Sequence, residues 1–156
     1  MQGTFSLEKA GVFDKLASAI TNYKDRCVVA VGGLSKVSNK VYRYTLATDT
    51  WIEMRSLNEA RRLPSVCTLG DSVYVIGGEV NGAEERETIN SIERLSGDSE
   101  QLAWKLIELS ERSFEPRYSC TPVPINSHEI AIIGGLRYEE ESTVDDVALF
   151  DKRGKA

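Results

Sequence analysis

Three adjacent glycine pairs, Gly32-Gly33, Gly77-Gly78 and Gly134-Gly135, are the first residues whose type and spacing could do chemistry. Such a pair can cradle a phosphate with backbone N–H groups, turn a hairpin, or mark a structural repeat. The phosphate reading needs G-x-x-x-x-G-K-[ST], or G-x-G-x-x-G opening a helix. GGLSKVSNK and GGEVNGAEE supply neither, so no nucleotide is expected. His128 is the only histidine and sits in the turn-like stretch INSHEI, with no nucleophile signature beside it. Ser-His-Asp and Cys-His catalysis therefore lack their base, and no catalytic residue is assigned. Cys27, Cys67 and Cys120 are odd in number, widely spaced and without a C-x-x-C. They suggest neither a disulfide framework nor a zinc site, and fit a reducing, cytoplasmic setting with no metal or cofactor. The carboxylate runs Glu139-Glu140-Glu141 and Asp145-Asp146 read as solvated loops.

The elements that would position these groups must come from a single ordinary domain, since the chain has 156 residues. Apolar residues make up 41% and charged residues 28%, the balance of a chain that folds rather than one that stays disordered. A net charge of −5 offers no positive field for nucleic acid or anionic lipid. No stretch approaches the ~18 apolar residues of a membrane span, and MQGTFSLEKAGVFDKL lacks the basic and apolar regions of a signal peptide. The expected partner is another protein.

Each glycine pair closes a run of strand formers: Val28-Val29-Ala30-Val31, Val73-Tyr74-Val75-Ile76 and Ile130-Ala131-Ile132-Ile133. The pairs lie 45 and 57 residues apart, the longer interval holding the polar insert NGAEERET at 81–88 and a lengthened turn near SGDSEQ. Other features keep the phase. VYRY at 41–44 precedes Trp51, SIERL at 91–95 precedes Trp104, and VALF occupies 147–150. Arg61 precedes SVCTL at 65–69, and Arg117 precedes SCTPV at 119–123. Short apolar runs separated by Gly, Asp, Asn and Ser predict a meander of antiparallel strands. Runs apolar on both faces, such as CVVAV and EIAII, predict strands covered from both sides.

The shared order resembles Kelch repeats over roughly residues 14–151. The carriers are the three glycine pairs, Tyr44 with Leu95 and Phe150 in its place, Trp51, Trp104, Arg61 and Arg117. The resemblance implies an all-β chain whose units, about 14–57, 58–113 and 114–156, each form a four-stranded blade of a β-propeller. It implies structural roles for Gly32, Gly33, Gly77, Gly78, Gly134, Gly135, Tyr44, Trp51 and Trp104, with both tryptophans filling space between blades. The Tyr44-to-Trp51 spacing puts a third tryptophan at position 157, past Ala156. The last blade is thus expected to be incomplete and the ring not closed by this chain alone. Open blade faces and an edge near 146–150 predict self-association. Residues 1–13 are an extension of undetermined structure, and 5–20 suits an amphipathic helix or a first strand at 16–20.

The resemblance implies a non-catalytic interaction module, as scaffold or substrate-recognition domain; in the family such modules serve the cytoskeleton or ubiquitin ligases. The alternative is a propeller enzyme of sialic-acid epimerase or oxidase type, but copper oxidase chemistry needs several histidines around one metal. Arg61, Arg62 and Arg117 have two readings: hydrogen bonds to carbonyls between blades, or, with Tyr118, a rim pocket for acidic peptide. The stretches Leu34 to Lys40, Glu79 to Thr88 and Leu136 to Val144 are expected as loops on one side, with Arg137 and Tyr138 as candidate anchors.

Overall fold

The computed structural model describes residues 19–24, 27–33, 36–80, 87–96, 103–109, 114–138 and 142–153. All regular structure there is β. The β-branched and aromatic runs pair with their chain neighbours through short turns, because local antiparallel pairing is the cheapest way to satisfy their backbone groups. Blade I is β1 (Ala19–Asn22), β2 (Cys27–Val31), β3 (Val41–Thr45) and β4 (Thr50–Glu53), hydrogen-bonded in that order. Blade II is β5 (Ser65–Leu69), β6 (Ser72–Val80), β7 (Glu87–Ser96) and β8 (Trp104–Ile107), again in chain order.

The third blade has three strands among the described residues: β9 (Thr121–Pro124), β10 (Glu129–Ile133) and β13 (Val147–Asp151). Between β10 and β13 lies a separate hairpin of β11 (Leu136–Arg137) and β12 (Ser142–Thr143). The first strands β1, β5 and β9 are spatial neighbours, as in blades arranged about an axis.

Period-two alternation decides what each sheet covers. Val73, Val75, Leu95 and Trp104 of blade II pack with Ala19, Val29, Val31 and Val41 of blade I. Tyr74, Ile76 and Ile92, on the other side of blade II, pack with Ile130, Ile132 and Phe150 of blade III. Blade II is therefore covered on both faces, whereas EIAII of blade III, expected to be covered from both sides, leaves Ile133 exposed on the side turned away from blade II. Each fully buried aliphatic side chain contributes roughly 1.5–3 kcal/mol.

The register matches the repeat phase. Tyr44 faces Val28 and Trp51, Leu95 faces Val73 and Trp104, and Phe150 faces Ile130. The strand alternative for the first unit holds from Ala19 to Asn22; residues 1–18, including the rest of that stretch, lie outside the described residues. The glycine pairs differ from expectation in one respect. In blade II they do not end the strand but bulge it: the register shifts between Ile76 and Gly78, and pairing resumes through Val80 and Glu87. The expected loop at Glu79 to Thr88 is thus partly a continuation of the β6–β7 hairpin, and residues 136–144 carry β11 and β12. Gly77 (φ +59°) shows why glycine is needed, since a Cβ there would sit 2.2 Å from the Arg117 carbonyl oxygen.

Candidate functional site

The two repeat arginines mark the segments where the chain enters a new blade. Arg61 is fully buried, a costly place for a cation, and its two Nη groups find acceptors while its Nε has none among the described residues. Its Nη1 donates to the carbonyls of Gly77 (2.9 Å) and Ser91 (3.3 Å). Its Nη2 donates to Glu59 Oε2 (2.9 Å), Ser91 Oγ (3.1 Å) and Glu93 Oε1 (2.9 Å). Burial pulls the Arg61 pKa below its ordinary value, and the Glu93 and Glu59 charges oppose that shift. Glu93, also fully buried, takes further hydrogen bonds from Asn58 N, Asn58 Nδ2 and Glu59 N.

Arg117 repeats the arrangement one blade on. Its Nη1 donates to the Gly134 carbonyl (3.2 Å) and Asp146 Oδ1 (2.5 Å), and its Nη2 to Asp146 Oδ2 (3.2 Å). The hydrogen bond from Arg117 holds the Asp146 carboxyl below the usual carboxylate range. In blades II and III the arginine thus clamps the carbonyl of the first glycine of its own pair. The arginine backbone reaches the preceding blade: Gly33 N–H donates to Arg61 O (3.3 Å) and Gly78 N–H to Arg117 O (2.9 Å).

This placement corrects the rim-pocket reading for Arg61 and Arg117. Both guanidinium groups are fully buried, so neither is offered to a partner. Arg62 lies nearer the surface, yet its Nε donates to the buried Glu79 (2.6 Å) and its Nη2 pairs with the same oxygen. Arg137 pairs with Glu115 at 3.4 Å. The tryptophans also divide. Trp104 is buried between blades I and II, with Nε1 donating to Arg55 O (3.0 Å). Trp51 is half-buried and meets Tyr44 at 5.0 Å between ring centroids, on the face of blade I turned away from blade II. It does not fill an interface between described blades.

What remains outward-facing is a rim where the glycine bulges end. Tyr118 and Leu136 exchange backbone hydrogen bonds (3.0 and 2.9 Å), and the Tyr138 N–H donates to Thr88 Oγ1 (3.1 Å). Tyr138 and Leu136 are exposed while their backbone is tied to blades II and III. Sequence reasoning named Tyr118 and Tyr138; it missed Glu93, Glu59 and Asn58. The available signal was a glutamate inside SIERL, where a buried strand needs a partner for any charge.

The histidine lies apart from this rim. His128, Glu129 and Asp151 are grouped closely enough to hold an ion, but Arg153 binds both Asp151 oxygens, Nε at 2.9 and 3.1 Å. Cys67 and Cys120 are buried in the second interface, where burial pushes the Cys67 thiol up to about 12. Glu139-Glu140-Glu141 and most of the 81–88 insert lie outside the described residues. Among those residues no helix is long and apolar enough to cross a membrane.

Repeated four-stranded meanders, packed face to face with their first strands side by side, define an arc of a β-propeller. The comparisons with known proteins agree with the repeats. The chain is 28% identical over 137 residues to Kelch-like protein 36 of Bos taurus, covering 85% of this chain and 21% of that protein. It is 29% identical over 136 residues to Kelch-like protein 36 of Mus musculus, covering 84% and 21%. A flagellar outer-arm dynein alpha chain of Chlamydomonas reinhardtii is 21% identical over 111 residues, 69% of this chain and 2% of that one. No family model matches. The repeats are similar to those of Kelch-like proteins and form part of a propeller, and the chain spans about a fifth of the length of the Kelch-like relatives it matches.

Proposed function

We propose that this chain is a non-catalytic protein-interaction module, a scaffold or substrate-recognition domain, whose contact surface is the rim between blades II and III. The carrying observation is the exposed pair Leu136 and Tyr138 beside Tyr118, on backbone hydrogen-bonded to two blades. An aromatic anchor on a fixed base loses little conformational freedom on binding, which is what makes tyrosine effective at interface centres. Arg62 and Arg137 border it as ion-paired groups that orient polar contacts. Net charge of −5 favours a neutral or basic partner surface, and nucleic acid or membrane is not the target. The similarity to proteins named Kelch-like supports the module reading, and a cytoplasmic setting fits the free cysteines.

A photo-crosslinking residue at position 138 tests this, with one at Thr48, in the exposed β3–β4 turn, as reference. The expected result is a discrete protein adduct from position 138, absent from position 48 and lost on Tyr118→Ala. The same adducts from both positions, or none from 138, would overturn the proposal.

A further inference from the structure

Blades II and III share one backbone geometry at the rim and differ there in chemistry. Arg62 exchanges backbone hydrogen bonds with Glu79 (2.8 Å each way), and one blade on Tyr118 does so with Leu136 (3.0 and 2.9 Å). Each pair couples the residue after a repeat arginine to the residue after a glycine pair, so the two pairs are equivalent positions. The next residue in each blade, Leu63 (φ +50°) or Ser119 (φ +51°), is left-handed. Non-glycine residues keep that strained conformation chiefly where a binding position has to be held. Ser119 N–H donates to Leu63 O (3.1 Å) and Leu63 N–H to Gly33 O (2.9 Å), which fixes the two rim positions one blade step apart.

The side chains at the two positions are unlike. Tyr118 and Leu136 offer an aromatic ring and an apolar group, Leu136 being 37% exposed. Arg62 and Glu79 form an ion pair that leaves one atom unserved. Nε and Nη2 of Arg62 both address Glu79 Oε2, and Glu79 Oε1 has no hydrogen-bond partner among the described residues. Glu79 is 1% exposed, where an unmet carboxylate oxygen is costly. Its carboxylate belongs to the rim side, because Glu79 is directly opposite Thr88 in the β6–β7 hairpin and cross-strand partners share a face. Thr88 Oγ1 in turn accepts the Tyr138 N–H (3.1 Å).

We propose, resting on the rim as the contact surface, that it recognises two neighbouring residues of a partner peptide. One is a lysine or arginine that donates to Glu79 Oε1, and the other is a large apolar residue that packs on Tyr118 and Leu136. The orphan oxygen selects a cation, since a charge-assisted hydrogen bond is what its desolvated state lacks. The net charge of −5 attracts the same sign. Glu79 is covered before binding, so the cation enters as the Arg62 side chain, 20% exposed, changes rotamer and keeps Oε2. Rotamer changes of this kind are common at interfaces whose backbone stays fixed. Equivalent positions with different side chains thus give the rim a polar and an apolar subsite side by side.

The probe is a displayed library of random peptides panned on the 156-residue chain, with one enriched peptide resynthesised for fluorescence anisotropy. Enriched sequences should place lysine or arginine beside a large apolar residue. Replacing that basic residue by neutral norleucine should weaken binding about tenfold or more, the loss of one charge-assisted hydrogen bond. Glu79→Gln, with its strand signal in circular dichroism unchanged, should bind both peptides equally, whereas a merely structural role for Glu79 would weaken both alike. Leu136→Ser should weaken both peptides and keep the preference for the basic one. A photo-crosslinking residue at position 138 should capture the peptide. Capture of an acidic consensus, no norleucine effect on the wild-type chain, or an undiminished norleucine effect in Glu79→Gln would overturn this inference and leave the rim as the contact surface. No enriched peptide, or one that position 138 does not capture, would overturn both.

Discussion

Replacing Glu93 by alanine removes the acceptor around which the entry to blade II is organised. Its Oε1 takes Arg61 Nη2 and Glu59 N, and its Oε2 takes Asn58 N and Nδ2. The variant would leave a fully buried guanidinium with Glu59, itself 40% exposed, as its only carboxylate among the described residues. Breaking a buried pair by deleting one partner costs roughly 3–5 kcal/mol. For a domain of this size each kcal/mol lowers the melting temperature by about 2–4 °C, so the expected fall is about 6–20 °C. Asp146→Ala is the internal comparison, because Asp146 faces Arg117 in the same motif but is 51% exposed. A pair open to solvent on one side contributes about 1 kcal/mol or less. Urea unfolding followed by tryptophan fluorescence would measure both at one protein concentration. Trp104 is a suitable reporter, since its carbonyl accepts from Asn58 Nδ2 at 2.9 Å. Equal losses in the two variants, or a loss below about 1 kcal/mol for Glu93→Ala, would refute the claim that burial makes the blade II clamp the stronger.

Three further outcomes are expected. Native protein should react with a disulfide reagent at Cys27 first, while Cys67, pushed up to about 12, and buried Cys120 react only on unfolding; fast labelling of Cys67 in mapped peptides would contradict the packing. The Asp146 pKa is lowered in the fold, so its contribution is complete above the ordinary value of 3.8 and is lost as pH falls through the lowered one. The stability gap between wild type and Asp146→Asn should therefore persist at pH 6 and close only below about pH 4 in acid titrations. Gly70→Ala and Gly77→Ala both place alanine near φ +59°, but only Gly77 is crowded, at 2.2 Å from the Arg117 carbonyl. Gly70→Ala should cost about 1–2 kcal/mol for the left-handed backbone, and Gly77→Ala clearly more in the same denaturation assay.

The fold was legible because its determinants are local and repeated. A glycine pair after Val73-Tyr74-Val75-Ile76 and a tryptophan facing Leu95 recur in phase, and phase survives insertions that blur any single motif. The site was less legible because it depends on which side chains meet across blades. Arg61 and Arg62 are adjacent in sequence, yet one is sealed inside a blade and the other stays partly exposed while pairing with the buried Glu79. Nothing in the pair RR distinguishes them without the register that turns Glu93 inward. Trp51 and Trp104 look equivalent for the same reason. One meets a neighbouring blade and the other does not, a difference set by position in the arc rather than by residue type.

The clamp and the inter-blade bond are made by the same residue, and this links blade formation to blade docking. The Arg117 side chain holds the Gly134 carbonyl within blade III, while its own carbonyl accepts from Gly78 of blade II. Arg61 does the same with Gly77 and Gly33. An arginine that fixes its own glycine bulge therefore also sets the height at which the previous blade's bulge docks. Loosening the clamp should misplace the rim of two blades at once. Rim residues such as Tyr118, one position after Arg117, then inherit their placement from a buried ion pair rather than from the loops around them. Arg117→Lys separates these effects, because lysine keeps the charge near Asp146 but cannot reproduce the planar fork that reaches Asp146 and Gly134 together. The Tyr138 adduct should weaken in that variant while the melting temperature falls by only a few degrees, about 1 kcal/mol or less of stability at this half-exposed pair. A full-strength adduct with an unchanged melting temperature would show that the rim is positioned without the clamp.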